Sequence, residues 1–445
     1  MQRQQVNSHH LYKRIKETFA LEKDSLQYRN YLNILREELR PAMGCTEPVS
    51  LAYAAALARD ALGGIPEKTH VKVSGNIIKN VKSVVIPHTD GLHGIDSAVA
   101  AGIIAGRAEK CLETLGSVTE KQKADIRAYL NTAEISIAPA TDGLVFDIDI
   151  TVYKGAKSAR VRIVNNHTNI VHVSRNGVAE TDLPVAECSE DSLTDKSCLN
   201  IEDIVAFADI VDICELEDTV GKQIDFNMAI AEEGIRSNWG ANIGKVILRR
   251  QGTGIEKKAC AYAAAGSDAR MSGCEKPVYI ISGSGNQGIT ASVPVAVYAY
   301  ETGASREKLI RAVAVSDLVT IHQKAGIGRL SAFCGAISAG CGAGAGVAYL
   351  NGGSAHAVAH TVVNAIAILS GTICDGAKPS CAAKIAAAVD AGLLGYDMYL
   401  EHQQFYGGDG IVTKGADNTV VNVGRLAREG MKETDTTILK IMLEQ

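Results

Sequence analysis

The chain opens without a secretory leader. MQRQQVNSHHLYKRIKETFALEKD has no apolar core segment, so no export is expected. No run of roughly 18 or more apolar residues is free of charge and glycine, which argues against a membrane span and for a cytoplasmic setting. The nearest candidate, Leu330 to Leu350, is dominated by glycine and alanine between Ala339 and Ala348. Such residues suit close packing in a water-soluble core. Basic blocks are missing too. The net charge is −5, from 45 Lys and Arg against 50 Asp and Glu, so nucleic acid is not an expected partner. Aromatic residues make up only 5%, whereas glycine numbers 43. Small side chains let helices approach closely but bury less apolar area per contact, so many helices have to share one core. Closely paired cysteines are also absent. The eleven cysteines are odd in number and none is spaced Cys-x2-Cys, which argues against a disulfide framework and for a reducing compartment. Each thiol is then packing filler, a metal ligand or a catalytic group.

What is present organises as α+β. Three parts are expected: an N-terminal helical segment (1–68), an α+β domain with a largely antiparallel sheet (69–190), and a large helical domain (191–445). Residues 10–62 read as two or three helices, with 26–40 and 48–62 separated around Pro41 and Pro48. Residues 70–87 read as strand, 95–109 and 119–131 as helices, and 133–138, 144–154, 158–165 and 168–174 as strands between turn residues. The boundary near 190 follows the acidic stretch Glu187 to Asp191. Beyond it helix follows helix, interrupted by one strand at Pro277 to Ser282 and by a glycine-rich loop at 405–418.

Four motifs carry chemistry. Gly283-Ser284-Gly285-Asn286-Gln287-Gly288 follows a strand and precedes a helix. A dinucleotide site would need a second strand ending in an acid, and a helix follows instead. The amides of Ser284 to Gly288 at a helix N-terminus suit a carboxylate or phosphate; the alternative is a tight turn without a ligand. His356 and His360 stand at i and i+4, as zinc ligands do, but lack a third partner and read as packing residues. Cys334 and Cys341 share a helix face, and Cys374 and Cys381 bracket the loop Asp375 to Ser380. Thiolates so placed can hold an iron–sulfur cluster, with buried filler as the alternative. Cys45 precedes a helix at Gly44-Cys45-Thr46-Glu47-Pro48, where the helix dipole lowers a thiol pKa. It is a nucleophile, base or ligand, or else a small buried residue.

Together ELRPAMGCTEP (38–48), SGNIIKNVKSVVIPHTDGLHG (74–94), SGSGNQG (282–288), FCGAISAGCGAGAG (333–346) and GTICDGAKPSCAAK (371–384) resemble the L-cysteine desulfidases. That family is similar in turn to the iron–sulfur L-serine dehydratases of bacteria. The resemblance runs from about residue 26 to 430. It implies a 4Fe–4S cluster held by three thiolates, best matched by Cys334, Cys374 and Cys381, with Cys341 next in line and one iron open. It implies Cys45 as the active-site cysteine, acting as base or as a fourth, displaceable ligand. The remaining cysteines (111, 188, 198, 214, 260, 274) read as filler. The expected reaction is β-elimination of L-cysteine to sulfide, ammonia and pyruvate. Ser284, Gly285, Asn286 and Gln287 would bind the substrate carboxylate, and His93 and Lys378 stand as outer groups whose alternative is plain solvent exposure. The alternatives are an L-serine dehydratase and a non-catalytic iron–sulfur sensor. The partner expected is a small amino acid, with a homo-oligomer left open.

Overall fold

The computed structural model describes residues 21–185, 193–328 and 330–444. The stretch 1–20 and the whole acidic boundary Glu187 to Asp191, Cys188 included, lie outside the described residues. The architecture is α+β. Helix α1 (Leu26–Glu38) starts at Ser25, whose hydroxyl accepts from the Tyr28 amide, and runs into strand β1 (Leu39–Met43). Helix α2 (Thr46–Leu62) follows. The α+β part continues with β2 (Lys68–Val73), α3 (Gly75–Val81), α4 (Ile95–Ala105), α5 (Glu120–Thr132), β3 (Glu134–Pro139), β4 (Asp147–Lys154), β5 (Lys157–Val164), β6 (Ile170–Arg175) and β7 (Val178–Asp182). The six strands lie in the order β3-β2-β4-β5-β6-β7. All neighbours are antiparallel except β2 and β3, which run parallel because α3, α4 and α5 intervene.

The second half comprises α6 (Ile201–Ile210), α7 (Lys222–Arg236), α8 (Ile243–Arg250), α9 (Ile255–Met271), strand β8 (Pro277–Ile281), α10 (Gly285–Thr302), α11 (Arg306–Ile327), α12 (Gly335–Leu350), α13 (Ala355–Leu369), α14 (Cys381–Leu400), α15 (Ala416–Arg425) and α16 (Lys432–Leu443). Small residues set its packing distances. A Cβ on Gly344 would overlap the carbonyl of Gly392, and one on Gly340 that of Ala388, so α12 and α14 touch almost backbone to backbone.

Two differences from the sequence expectation matter. The strand expected over 70–87 ends at Val73, where Ser74 turns the chain into α3 and its hydroxyl accepts from the Asp147 amide. The buried residues Ile77 and Val81 stand four apart, a helical spacing. The segment expected as a turn at Pro41 is strand β1, paired antiparallel with β8 from Leu39 opposite Ile281 to Met43 opposite Pro277. Just after Cys45, Thr46 Oγ1 donates to the carbonyl of Gly283, in the turn between β8 and α10.

Two large apolar clusters result. One joins α1, Leu39 and Ala42 to the helices beyond Leu199. The other joins α2 to the sheet and to α3–α5. A third, small one contains Cys45, Val84 and Met271, with Ala377 packed against it. Among the described residues no helix is long and apolar enough to cross a membrane.

Candidate active site

Three chain ends meet around Cys45. The first is the N-terminus of α2. Gly44 takes a left-handed φ of 67° with Pro87 packed over it, and Cys45 stands at the N-cap position without a side-chain cap bond. Its sulfur lies 3.4 Å from Glu47 Oε2 and donates to it. Glu47 is 8% exposed and is met by two more donors, Thr46 Oγ1 at 2.9 Å and Asn80 Nδ2 at 2.9 Å. The lowered thiol pKa expected for a helix N-terminus is not what this environment gives. Burial and next the Glu47 carboxylate push the Cys45 thiol well up, against a smaller opposing pull from Arg270. The dipole loses because the sulfur is almost fully desolvated.

The second end is the turn before α10. Ser282 (φ 48°) and Gly283 (φ 83°) are both left-handed, and Ile281 and Ser284 exchange backbone bonds of 3.1 and 2.9 Å across them. This is the primed tight turn. The Ser284 hydroxyl then caps α10 by accepting from the Gln287 amide, and the Gly288 amide is bonded to Ser284 O. The expected cradle is therefore narrower than Ser284 to Gly288. Gly285 and Asn286 are the first-turn amides not taken by the turn or the cap. Asn286 does not offer a free side-chain group either. Its Oδ1 accepts from Arg270 and its Nδ2 lies 3.7 Å from Met271 sulfur. The carbonyl of Gly283 is 2.9 Å from Thr46 Oγ1, which ties this turn to α2.

The third end is the N-terminus of α12 with the 370–381 segment. Phe333 and Ile373 form an antiparallel bridge, and Cys334 N–H donates to Thr372 O (3.0 Å) while Cys374 N–H donates to Ala332 O (2.6 Å). Cys381 opens α14, its sulfur 3.7 Å from Gly376 O. Burial, and next the neighbouring Cys374 sulfur, push Cys334 up to about 12; burial raises Cys381, with Cys374 again contributing. Cys334 and Cys381 thus both feel the Cys374 sulfur. Cys341 does not join them: burial alone pushes it up to about 12, inside the close-packed body of α12. Lys384 and Lys378 both pair with Asp375, and Lys384 also donates to Ile373 O at 2.8 Å, which pins the loop between the cysteines.

The ends are in contact. Ala377, midway along the loop, packs against the cluster of Cys45, Val84 and Met271. Gln287 fills the space beside Gly335, where an added Cβ would come 2.6 Å from its Nε2. Among the described residues no three groups converge tightly enough for a single metal ion. A cluster imposes a different geometry, because it spreads its thiolates over the corners of a cube instead of drawing them to one point. Cys334 and Cys374, beside a hydrogen-bonded bridge, and Cys381, at a helix start, are thiol donors of the kind such a group takes. Iron would also remove the thiol protons that burial otherwise retains.

Some residues fall elsewhere. His356 and His360 stack on each other at 4.2 Å between ring centroids and on Tyr399, away from the thiols in α13. His93 is exposed, with Nδ1 3.3 Å from Gly91 O. Of the cysteines expected as filler, Cys260 and Cys274 are buried, whereas Cys111 and Cys214 are exposed. Sequence reading missed Arg270, Glu47 and Asn80. The one available signal for Arg270 was a cation in an otherwise small-residue helix, AYAAAGSDAR.

A family model described as serine dehydratase alpha chain matches residues 109–440. The chain is 55% identical to a UPF0597 protein of Desulfitobacterium hafniense, over 96% of this chain and 99% of that one. It is 45% identical to a UPF0597 protein of Lachnoclostridium phytofermentans, over 94% and 100%, and 43% identical to one of Treponema denticola, over 95% and 99%.

Proposed function

The chain belongs to the serine dehydratase alpha chain family, a lyase family associated with iron–sulfur chemistry, and from that premise we propose that it is an L-cysteine desulfidase. The observation that carries the reading is the small buried cluster of Cys45, Val84 and Met271, against which Ala377 of the loop bracketed by Cys374 and Cys381 packs, while Glu47 accepts from the Cys45 thiol. When bound through Cys334, Cys374 and Cys381, a 4Fe–4S cluster would supply an open, Lewis-acidic iron for the departing β-sulfur. The chain's own residues do the proton work. Cys45 passes its proton to Glu47, already its hydrogen-bond acceptor, in the same step in which its sulfur takes the α-proton of the substrate, so no free thiolate has to stand in this buried, acid-flanked position. The Cα–H electrons form the Cα–Cβ double bond as the Cβ–S bond breaks. Aminoacrylate leaves, tautomerises to an imine and hydrolyses to pyruvate and ammonia. Burial of Cys45, Glu47 and Gln287 keeps water from this exchange.

The test is an anaerobic assay of iron- and sulfide-reconstituted protein with L-cysteine. Sulfide and pyruvate are expected in equal amounts and are lost on air exposure. Cys45→Ala should lower kcat by about 10²–10⁴-fold with iron content unchanged. Full activity without iron would sink the reading. The second reading is favoured by the family description itself: pyruvate from L-serine, with no sulfide from L-cysteine, would make the chain a serine dehydratase.

A further inference from the structure

Arg270 is 3% exposed at the end of α9, and its guanidinium has no carboxylate partner among the described residues. Its hydrogen bonds go to neutral acceptors, Gly44 O from Nε at 3.0 Å and Asn286 Oδ1 from Nη1 at 3.2 Å. A buried guanidinium is expensive without a counter-ion, and its forked donors match a carboxylate. Glu47 is engaged by Thr46, Cys45 and Asn80, and Asp268 by the amides of Ala241 and Ile243. In the first turn of α10, Gln287 is 5% exposed, and its Oε1 is buried with no hydrogen-bond partner among the described residues. Such an orphan acceptor is destabilising unless a ligand donates to it. It lies beside Gly335, the residue after Cys334.

We propose that Arg270 and Gln287 form a clamp for a free α-amino acid: Arg270, with the amides of Gly285 and Asn286, takes the α-carboxylate, and Gln287 Oε1 accepts from the α-ammonium. The two ends of the zwitterion are then fixed by two different elements, α9 and α10. The side chain of the substrate is left to point toward Cys334 and the 374–381 loop. Asn286 is a positioning residue, since its Oδ1 holds the guanidinium. This deepens the lyase reading of the same site and rests on it for the fate of the substrate, but the clamp concerns recognition alone.

The experiment uses the reconstituted full chain and L-alanine, which carries both charged groups and no leaving group. Binding is measured by calorimetry beside ethylamine and propionate, each lacking one group, and the KM for the turned-over amino acid is measured in parallel. L-Alanine should bind and the two half-molecules should not. Arg270→Gln should weaken L-alanine and raise KM about 10–100-fold, with kcat less affected and the cluster absorbance unchanged. Gln287→Leu should weaken L-alanine several-fold. If Arg270→Gln does not fold, Asn286→Asp answers the same question. The new carboxylate would neutralise Arg270 internally, so it should raise the L-alanine Kd at least about tenfold. Unchanged L-alanine affinity in Arg270→Gln or in Asn286→Asp overturns the clamp. Arg270-dependent L-alanine binding in a protein that turns over neither L-cysteine nor L-serine would sink the proposed reaction and leave the clamp standing.

Discussion

Asp268, two residues before Arg270, shows how a single side chain positions this end of α9. Its carboxylate accepts from the amides of Ala241 (3.3 Å) and Ile243 (2.6 Å), which anchors the start of α8 at Gly240, itself left-handed with a φ of 51°. Burial pushes the carboxyl up to about 6, with both amides pulling the other way. The folded pKa is therefore above the unfolded value of 3.8. Between the two, the folded state binds the extra proton, so this contribution is greatest below about pH 4 and is lost as pH rises through about 6. Asp268→Asn removes the titration. The stability of wild type minus that of Asp268→Asn should fall by on the order of 2–3 kcal/mol between pH 4 and pH 7, read from denaturant melts at each pH. A difference independent of pH would refute the assignment. At this scale the sequence was legible where a residue type is chemically distinctive. Cys45 and the 374–381 pair stood out because thiols are scarce donors. Arg270 did not, because a lone cation on a helix reads as solvent-exposed until the packing of Gly44 and Gly285 around it is known.

At the scale of elements, position along a helix decides which thiol is available. Cys334 is the N-cap of α12 and Cys381 the first residue of α14, so both stand where backbone donors point outward and side chains face the joining segments. Cys341 sits two turns into α12, among glycines packed on α11 and α14. The seven-residue spacing that put it on the same face as Cys334 was readable, but the neighbours filling that face were not. We therefore propose Cys334, Cys374 and Cys381 as the ligand set. Each of the three changed to Ala should leave reconstituted protein with less than about a third of wild-type iron, whereas Cys341→Ala should retain it, measured by iron assay and visible absorbance. Iron loss in Cys341→Ala with retention in Cys381→Ala would exchange their roles. Element types were largely legible from periodicity. The strand expected through residue 87 failed because Ile77, Ile78 and Val81 fit either period over so short a window. Ser74, a helix-starting residue, was the signal against it.

At the scale of the molecule, Cys45, the proposed base, lies where the chain crosses between its two large cores, Ala42 in one and Leu51 in the other. The expected divisions at 68/69 and 190/191 remain a proposal about domains, and the packing gives them a consequence. Helix α1 belongs to the core of the distant helices. Tyr28 and Tyr31 flank Phe207 with ring centroids 5.3 Å away in each case, and Leu32, Ile34 and Leu35 are buried in the same cluster. Strand β8 finds its strand partner in β1. No local pattern could reveal this, because α1 and Phe207 are separated by the whole α+β part. Residues 193–445 expressed alone should therefore not reach the native state. Exposing the sites of those five side chains forfeits roughly 1.5–3 kcal/mol for each, which together matches the about 5–15 kcal/mol that a whole folded protein has in reserve. The fragment should aggregate or bind a hydrophobic dye, and co-expression with residues 1–185 should restore soluble, iron-binding protein. A fragment that melts cooperatively at the temperature of the full chain would show that α1 and β1 dock onto a core already complete, and that the site is assembled only after both parts have folded.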